Sequence, residues 1–268
     1  MSIELTFLGT GGAFTDFRTN YHNNAAVKTD SGYVLIDCGG TAVQSLKELG
    51  ISVHDIRAVI ITHMHGDHVG GLEQLIWERY YTGPNGPAFN TTTVIHALRT
   101  TVADFLHHTI DEYTERDGKV YTGGVSALLV EDRKKTFDQF YVDGVKFCLQ
   151  QVNHVIGCNG HINKPSYGLL IGKSFPIFYT SDMVFSPELL SEFTEPDNID
   201  VDTIFHDCTF SPPYTGTVHT HYGQLFTLPD NVRKRIVLMH YGNVPDGIDV
   251  VGDGFKGAAR RHETFIIS

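Results

Sequence analysis

The chain has 268 residues, enough to bury a sizeable core as one large α/β domain or two small ones. Its 41% hydrophobic and 19% charged content excludes wholesale disorder, and no run approaches the ~18 apolar residues of a membrane span. A formal net charge of −11 argues against a grip on long nucleic acid, whose affinity rests on phosphate neutralisation by Lys and Arg. Strand character begins at Ile3 with no basic and apolar leader before it, so the expected location is the cytoplasm. The cysteines at 38, 148, 158 and 208 lack CxxC spacing and read as free thiols.

Ile3 to Leu8 alternates and ends in Gly9-Thr10-Gly11-Gly12, a strand followed by a sharp turn. Ala25–Thr29 and Tyr33–Asp37 read as hairpin arms around Asp30-Ser31-Gly32. Gly39-Gly40 precedes a helix with Val43, Leu46 and Leu49 on one face and Gly50 as its stop. Ile56 to Thr62 is a buried strand, and it runs into Thr-His-Met-His-Gly-Asp-His-Val-Gly-Gly at 62–71. This decamer packs His63, His65, Asp67 and His68 into six positions, the N/O donor set of zinc or a similar divalent ion. Side chains two apart diverge on a helix but converge at a strand tip. Gly66, Gly70 and Gly71 are expected to let the backbone turn tightly there.

Leu72, Leu75, Ile76 and Arg79 then form a helical stripe. Beyond it, residues 83–140 read as an elaborated insertion or lid within one domain spanning 1–268. It holds a strand near Thr93–Ala97, a helix from Thr100 to about Tyr113 and a polar, glycine-containing remainder. Its aromatics Phe89, Phe105, Tyr113 and Tyr121 are core candidates, with base stacking as the alternative. The basic triplets Arg133-Lys134-Lys135 and Arg233-Lys234-Arg235 read as solvated segments.

Strands follow at Val145–Val152, Tyr167–Ile171, Ile177–Thr180, Val201–Phe205 and Ile236–Met239, with helices near 187–194 and 221–234. His154, Asp182 and His240 each stand just after an apolar run, the arrangement that projects metal-competent side chains into one crevice. Two β-rich halves, each followed by helices, suggest sheets packed face to face with helices outside.

The decamer resembles the HxHxDH signature of the metallo-β-lactamase superfamily. That resemblance implies an αββα sandwich, an α/β fold, with the site at the sheet edge. His154, Asp182 and His240 match in order and spacing the third histidine, the bridging aspartate and the last histidine of the superfamily. The resemblance implies two divalent ions, zinc foremost, with manganese or iron compatible. His63, His65, His154 and Asp182 would hold one, and Asp67, His68, His240 and Asp182 the other, with an activated water between them. Histidine at 65 argues against flavodiiron-type iron centres, which usually carry glutamate there. Aspartate at 182 argues against the common lactamases, which carry cysteine.

The segments His206-Asp207-Cys208-Thr209-Phe210 and His219-Thr220-His221, with Pro165-Ser166-Tyr167-Gly168, are similar to the ribonuclease-Z-like branch. Carried over by position, Asp207 orients a histidine that protonates the leaving oxygen; His219 is favoured for it and His221 is its rival. Asp67, Asp207 and His219 are thus the catalytic candidates. Only Leu169 to Ser181 separates the Ser-Tyr-Gly strand from Asp182, too short for the arm with which ribonuclease Z clamps transfer RNA. The expected activity is therefore hydrolysis of a small phosphodiester or cyclic nucleotide, in a protein that relatives suggest is a homodimer. A thioesterase or lactonase, and a nucleotide-sequestering protein without turnover, are the alternatives. Outside these positions, His96, His107, His108 and His262 read as structural or surface residues. His22 is a candidate to face the crevice, and Asp37 is expected to fix a ligand histidine or the metal loop.

Overall fold

The computed structural model describes residues 2–83, 93–98, 114–116, 119–122, 125–130, 138–156, 162–194, 199–212 and 218–267. The first sheet contains β1 (Ile3–Gly9), β2 (Asn24–Lys28), β3 (Tyr33–Ile36), β4 (Ile56–Ile60), β5 (Thr93–Leu98), β6 (Thr114–Arg116), β7 (Lys119–Thr122) and β8 (Val125–Val130). The second contains β9 (Asp138–Val142), β10 (Val145–Ile156), β11 (Ile162–Ile171), β12 (Ile177–Tyr179), β13 (Thr203–Asp207), β14 (Ile236–Met239) and β15 (Gly257–Ala258). The last strand, β16 (Thr264–Ile267), returns to the first sheet and pairs antiparallel with β1. Spatial orders are β16-β1-β2-β3-β4-β5-β8-β7-β6 and β15-β14-β13-β12-β11-β10-β9.

Alternation along the strands builds the layers, because successive side chains leave opposite faces. Leu5, Phe7, Ala25, Val27, Val34, Ile36, Ala58 and Ile60 point to the second sheet and meet Phe147, Leu169, Ile177, Tyr179, Phe205, Val237 and Met239. Their neighbours Leu8, Ala26, Leu35 and Val59 face outward, against Val43 and Leu46 of helix Ala42–Glu48 and Leu72, Leu75 and Ile76 of helix Leu72–Thr82. On the far side Leu170, Phe178, Ile204 and Leu238 pack under Leu190, Leu225 and Val232 of three short helices. Two mixed sheets between helical layers give the expected αββα sandwich.

Several elements differ from the reading of the sequence. The described residues in the remainder of the insertion are strand: β6, β7 and β8 extend the first sheet beyond β5, with β5 and β8 parallel. β6 and β7 lie toward the sheet edge, where a ladder needs no apolar alternation, whereas β8 pairs on both sides through the apolar run Val125–Val130. The expected helix from Thr100 to Tyr113, together with Phe89, Phe105 and Arg133 to Lys135, lies outside the described residues. The helix near 221–234 is two single turns, Tyr222–Leu225 and Asp230–Arg233, because Pro229 between them lacks a backbone N–H. In the basic triplet, Arg233 pairs with Asp230 and lies over Phe226, and Arg235 pairs with Asp200. Cys38, Cys148 and Cys208 are free and buried; Cys158 lies outside the described residues. Among the described residues no helix is long and apolar enough to cross a membrane.

Candidate metal centre

β4 carries the decamer to the sheet edge, and His63 and His65 sit on the extended segment beyond it. Gly66–Val69 then turns once as a helix that carries Asp67 and His68. Gly66, Gly70 and Gly71 do not take positive φ, contrary to the tight-turn expectation. Gly71 instead allows close packing: a Cβ there would lie 2.3 Å from the Gly39 carbonyl oxygen, and one on Gly39 would lie 1.9 Å from that of Asp67. The glycine pairs at 39–40 and 70–71 let the two loops touch backbone to backbone. Asn24 locks this contact, accepting from the Gly39 N–H at 2.8 Å and donating to the Asp67 carbonyl at 3.2 Å.

The other candidates arrive from the second sheet. His154 lies within β10, two residues beyond the expected strand end, where the pairing with β11 shifts register between Val152 and Val155. A bulge, which re-aims a side chain, thus does the work expected of a strand end. Asp182 follows Ser181 beyond β12, and His240 follows β14. Ser181 has φ 55° and His240 φ 58°, and Asp37, beyond β3, has φ 65°. Left-handed backbone at three strand ends beside one crevice is strain of the kind that gathers at functional sites.

All seven side chains converge. His63, His65, His154 and Asp182 offer donor atoms within 4.8 Å of one another, and so do Asp67, His68, Asp182 and His240. Asp182 stands between the two groups. Its Oδ2 lies 3.6 Å from His63 Nε2 and 3.8 Å from His154 Nε2, while its Oδ1 lies 3.3 Å from both His68 Nε2 and His240 Nε2. Asp67 Oδ2 is 3.2 Å from His240 Nε2 and 3.4 Å from His68 Nε2.

The outer nitrogen of four of these histidines is already engaged. His68 Nδ1 donates to Asp37 Oδ2 at 2.7 Å and His154 Nδ1 to the Val218 carbonyl at 2.8 Å. His63 Nδ1 meets Thr62 Oγ1 at 3.2 Å, and His240 Nδ1 faces Asp207 Oδ1 at 3.3 Å. With Nδ1 carrying the proton, each Nε2 turns a lone pair inward, the tautomer of a metal-ligating imidazole held from behind. His68 Nε2 and Asp182 Oδ1 are buried without a hydrogen-bond partner. The pair calls for positive charge between them, which a proton supplies in the metal-free protein and which a divalent ion in each group would also supply.

Electrostatics point the same way. Asp37, Asp67, Asp182 and Asp207 are all buried, and among the described residues no Lys or Arg pairs with any of them. Burial opposes the charge of His240, but Asp182, Asp207 and Asp67 outweigh it and push its pKa up to about 10. His68 rises for similar reasons, against burial, through Asp182 and Asp37. Burial alone would raise the carboxyl of Asp182; the surrounding His240 and His68 hold it well below the usual carboxylate range. Burial prevails at His63 and His154, whose pKa values are lowered. That suits neutral ligands.

Beside the second group, His219 Nδ1 lies 3.0 Å from Asp207 Oδ2, so the shorter aspartate spans the distance. Asp207 also accepts from the Met183 N–H at 3.0 Å. Its carboxylate, against the effect of burial, raises the pKa of His219. His221 is otherwise occupied: its Nδ1 accepts from the Gly223 N–H and caps helix Tyr222–Leu225. His22 is buried, and the charge of Asp67 acts on it. His262 approaches Ser45 and Glu48 away from the centre. His107 and His108 lie outside the described residues, and His96 is in β5.

The sequence reading missed the polar net behind the ligands. Thr62 donates from its backbone and hydroxyl to the two oxygens of Asp37, each at 2.8 Å, and accepts from Ser181 Oγ at 2.7 Å. A lone hydroxyl at the end of an apolar run carried no signal before its partners were known.

Fold and cluster together define a protein of metallo-β-lactamase fold with buried His/Asp groups suited to divalent metal at its sheet edge. Among solved structures the chain is similar to the metallo-β-lactamase fold protein YhfI from Bacillus subtilis, with TM-score 0.75, 14% identity and 99% and 100% of the two chains covered. The human short-form tRNase Z gives TM-score 0.69 at 17% identity, covering 99% of each chain. Yeast PDE1 gives 0.66 at 16%, covering 99% of each. The chain belongs to the Anti-Pycsar protein Apyc1 family, whose model matches residues 3–265. Its relatives of that name include proteins from Paenibacillus harenae, 33% identical with 91% and 92% of the two chains covered, and Paenibacillus sp. (strain J14), 32% identical over the whole of both. A Bacillus phage 010DV004 protein of the same name is 28% identical, covering 90% of each.

Proposed function

We propose that this protein is a dinuclear metal-dependent phosphodiesterase that opens a small diester, foremost a cyclic nucleotide. The observation that carries the proposal is the division of Asp182, one oxygen toward each group of histidines, beside a histidine backed by its own carboxylate. Family membership and the fold shared with PDE1 support the reading. When bound, ions held by His63, His65, His154 and Asp182 and by Asp67, His68, His240 and Asp182 would acidify a water and neutralise phosphate charge.

The chain's own residues supply the rest. Asp37, Thr62, Val218 and Asp207 hold the ligand imidazoles in one tautomer, so the site is arranged before substrate arrives. A water oxygen attacks phosphorus, the bond to the leaving oxygen breaks, and that alkoxide needs a proton. Asp207 engages His219 Nδ1, which leaves Nε2 as the nitrogen that gives it. The net charge of −11 and the short connection between β11 and Asp182 favour a small substrate over transfer RNA.

The test is turnover of bis(p-nitrophenyl) phosphate and of 3′,5′-cyclic nucleotides by protein loaded with zinc, manganese or iron, with Asp67→Ala as control. Metal-dependent opening of the cyclic diester, abolished by chelator and by Asp67→Ala, is the expected result. Hydrolysis of thioesters or lactones in its place, or nucleotide binding without turnover in any metal, would overturn the assignment.

A further inference from the structure

The loop from Gly11 to His22 is clamped at its base and bare at its tip. Gly11 donates to the Tyr21 carbonyl and Asn23 to the Gly11 carbonyl, each at 2.8 Å. Asn20 accepts from the Thr10 and Tyr21 N–H groups and donates to Thr10 Oγ1. The Tyr21 hydroxyl donates to Glu48 at 2.6 Å, and the Arg261 guanidinium lies 4.5 Å from the Tyr21 ring centre. Compact loops with pinned ends are recurrent sites of recognition. This one borders the metal centre: a Cβ on Gly12 would come within 3.2 Å of the His240 ring.

Its tip presents two large apolar rings to water. Phe14 is fully exposed and Phe17 is 51% exposed. Phe17 meets the His22 ring edge to face at 4.8 Å, and His22 feels the charges of Asp67, His68 and His240. His22 is itself 7% exposed, and its Nδ1 is buried without a hydrogen-bond partner. His22 thus touches Phe17 while the charges of the cluster act on it. Exposed aromatics on a loop beside a polar centre suit a ligand with one charged and one flat apolar end.

We propose that this loop is the nucleobase subsite, with Phe17 as the stacking platform, for a cyclic nucleotide whose phosphate lies at the His/Asp cluster. The inference rests on the phosphodiesterase reading and extends it to specificity. A flat ring recognises every base by its face, so the subsite favours nucleotides over base-free diesters without choosing strongly among bases.

The test compares 3′,5′-cyclic AMP with methyl riboside 3′,5′-cyclic phosphate, which keeps sugar and phosphate but has no base. Phe17→Ala is expected to raise KM for the nucleotide by roughly tenfold, the scale of one base–aromatic stack, with kcat retained. The base-free diester is expected to be turned over equally by both proteins, and Phe17→Trp to restore the nucleotide KM. Equal effects on both substrates, no effect on either, or a change of oligomeric state on sedimentation would overturn the proposal. Should the wild type hydrolyse neither, calorimetry on the zinc-loaded protein separates the two readings. Nucleotide binding lost in Phe17→Ala would sustain the subsite while the hydrolase reading fails; no nucleotide binding by the wild type would sink the subsite.

Discussion

Asp207 serves two histidines: Oδ2 holds His219 and Oδ1 faces His240. That double duty makes its removal different from the removal of His219. His219→Ala should cost roughly 10²–10⁴ in kcat for a cyclic nucleotide, whose alkoxide needs a proton. It should cost far less for bis(p-nitrophenyl) phosphate, since nitrophenolate departs unprotonated; equal losses on the two substrates would contradict the acid role. The acid acts in its protonated form, so activity falls as pH rises through the His219 pKa, which Asp207 holds above the ordinary ~6.5 of histidine. Asp207→Asn removes that support, and the alkaline limb of the pH–rate profile should move to lower pH. Asp37→Asn keeps the shape behind His68 but not the charge, and should weaken metal affinity roughly 10–100-fold in buffered-metal titrations. At this scale the convergence was legible, because seven His and Asp side chains stood at telling positions and the structure brings them together. Thr62, Ser181 and Asn24 were not, since a lone hydroxyl or amide beside a strand signals nothing until its partners are known.

At the scale of elements, the strands were read from alternation, and they end where the ligands begin. His154 shows the limit: the apolar run stops at Val152, but backbone pairing continues past it through a bulge. Strands β6 and β7 were missed for the same reason, because a ladder leaves weak marks in side-chain chemistry toward a sheet edge; β8, by contrast, was marked by its apolar run Val125–Val130. Pro229 was visible in the sequence and should have divided the last helical segment. Arg79, expected on a helical stripe, proves to be a buried strut: its Nη1 donates to the Val53 and Ile56 carbonyls at 2.7 and 3.0 Å, where β4 begins. Arg79→Met should remove both of these charged hydrogen bonds and lower stability by about 1–3 kcal/mol, read as a fall in the denaturant midpoint. Midpoints equal to the wild type would show that the strut contributes nothing.

For the whole molecule, the two sheets hold their apolar faces together while four buried aspartates gather at one edge. Carboxylates gathered in a poorly solvated crevice disfavour the folded state unless positive charge joins them. Bound ions should therefore act as folding ligands, worth about 4 kcal/mol when free metal is a thousandfold above Kd. Chelation should lower the unfolding temperature, and returning zinc should restore it; an unchanged temperature would argue that the cluster is satisfied by protons alone. The most direct measurement is the metal content of protein purified without added metal, for the wild type and for Asp182→Ala. Because Asp182 stands between the two groups, about two ions per chain should fall toward none in the variant. Active wild-type protein without stoichiometric metal, or a variant that keeps both ions, would contradict the account.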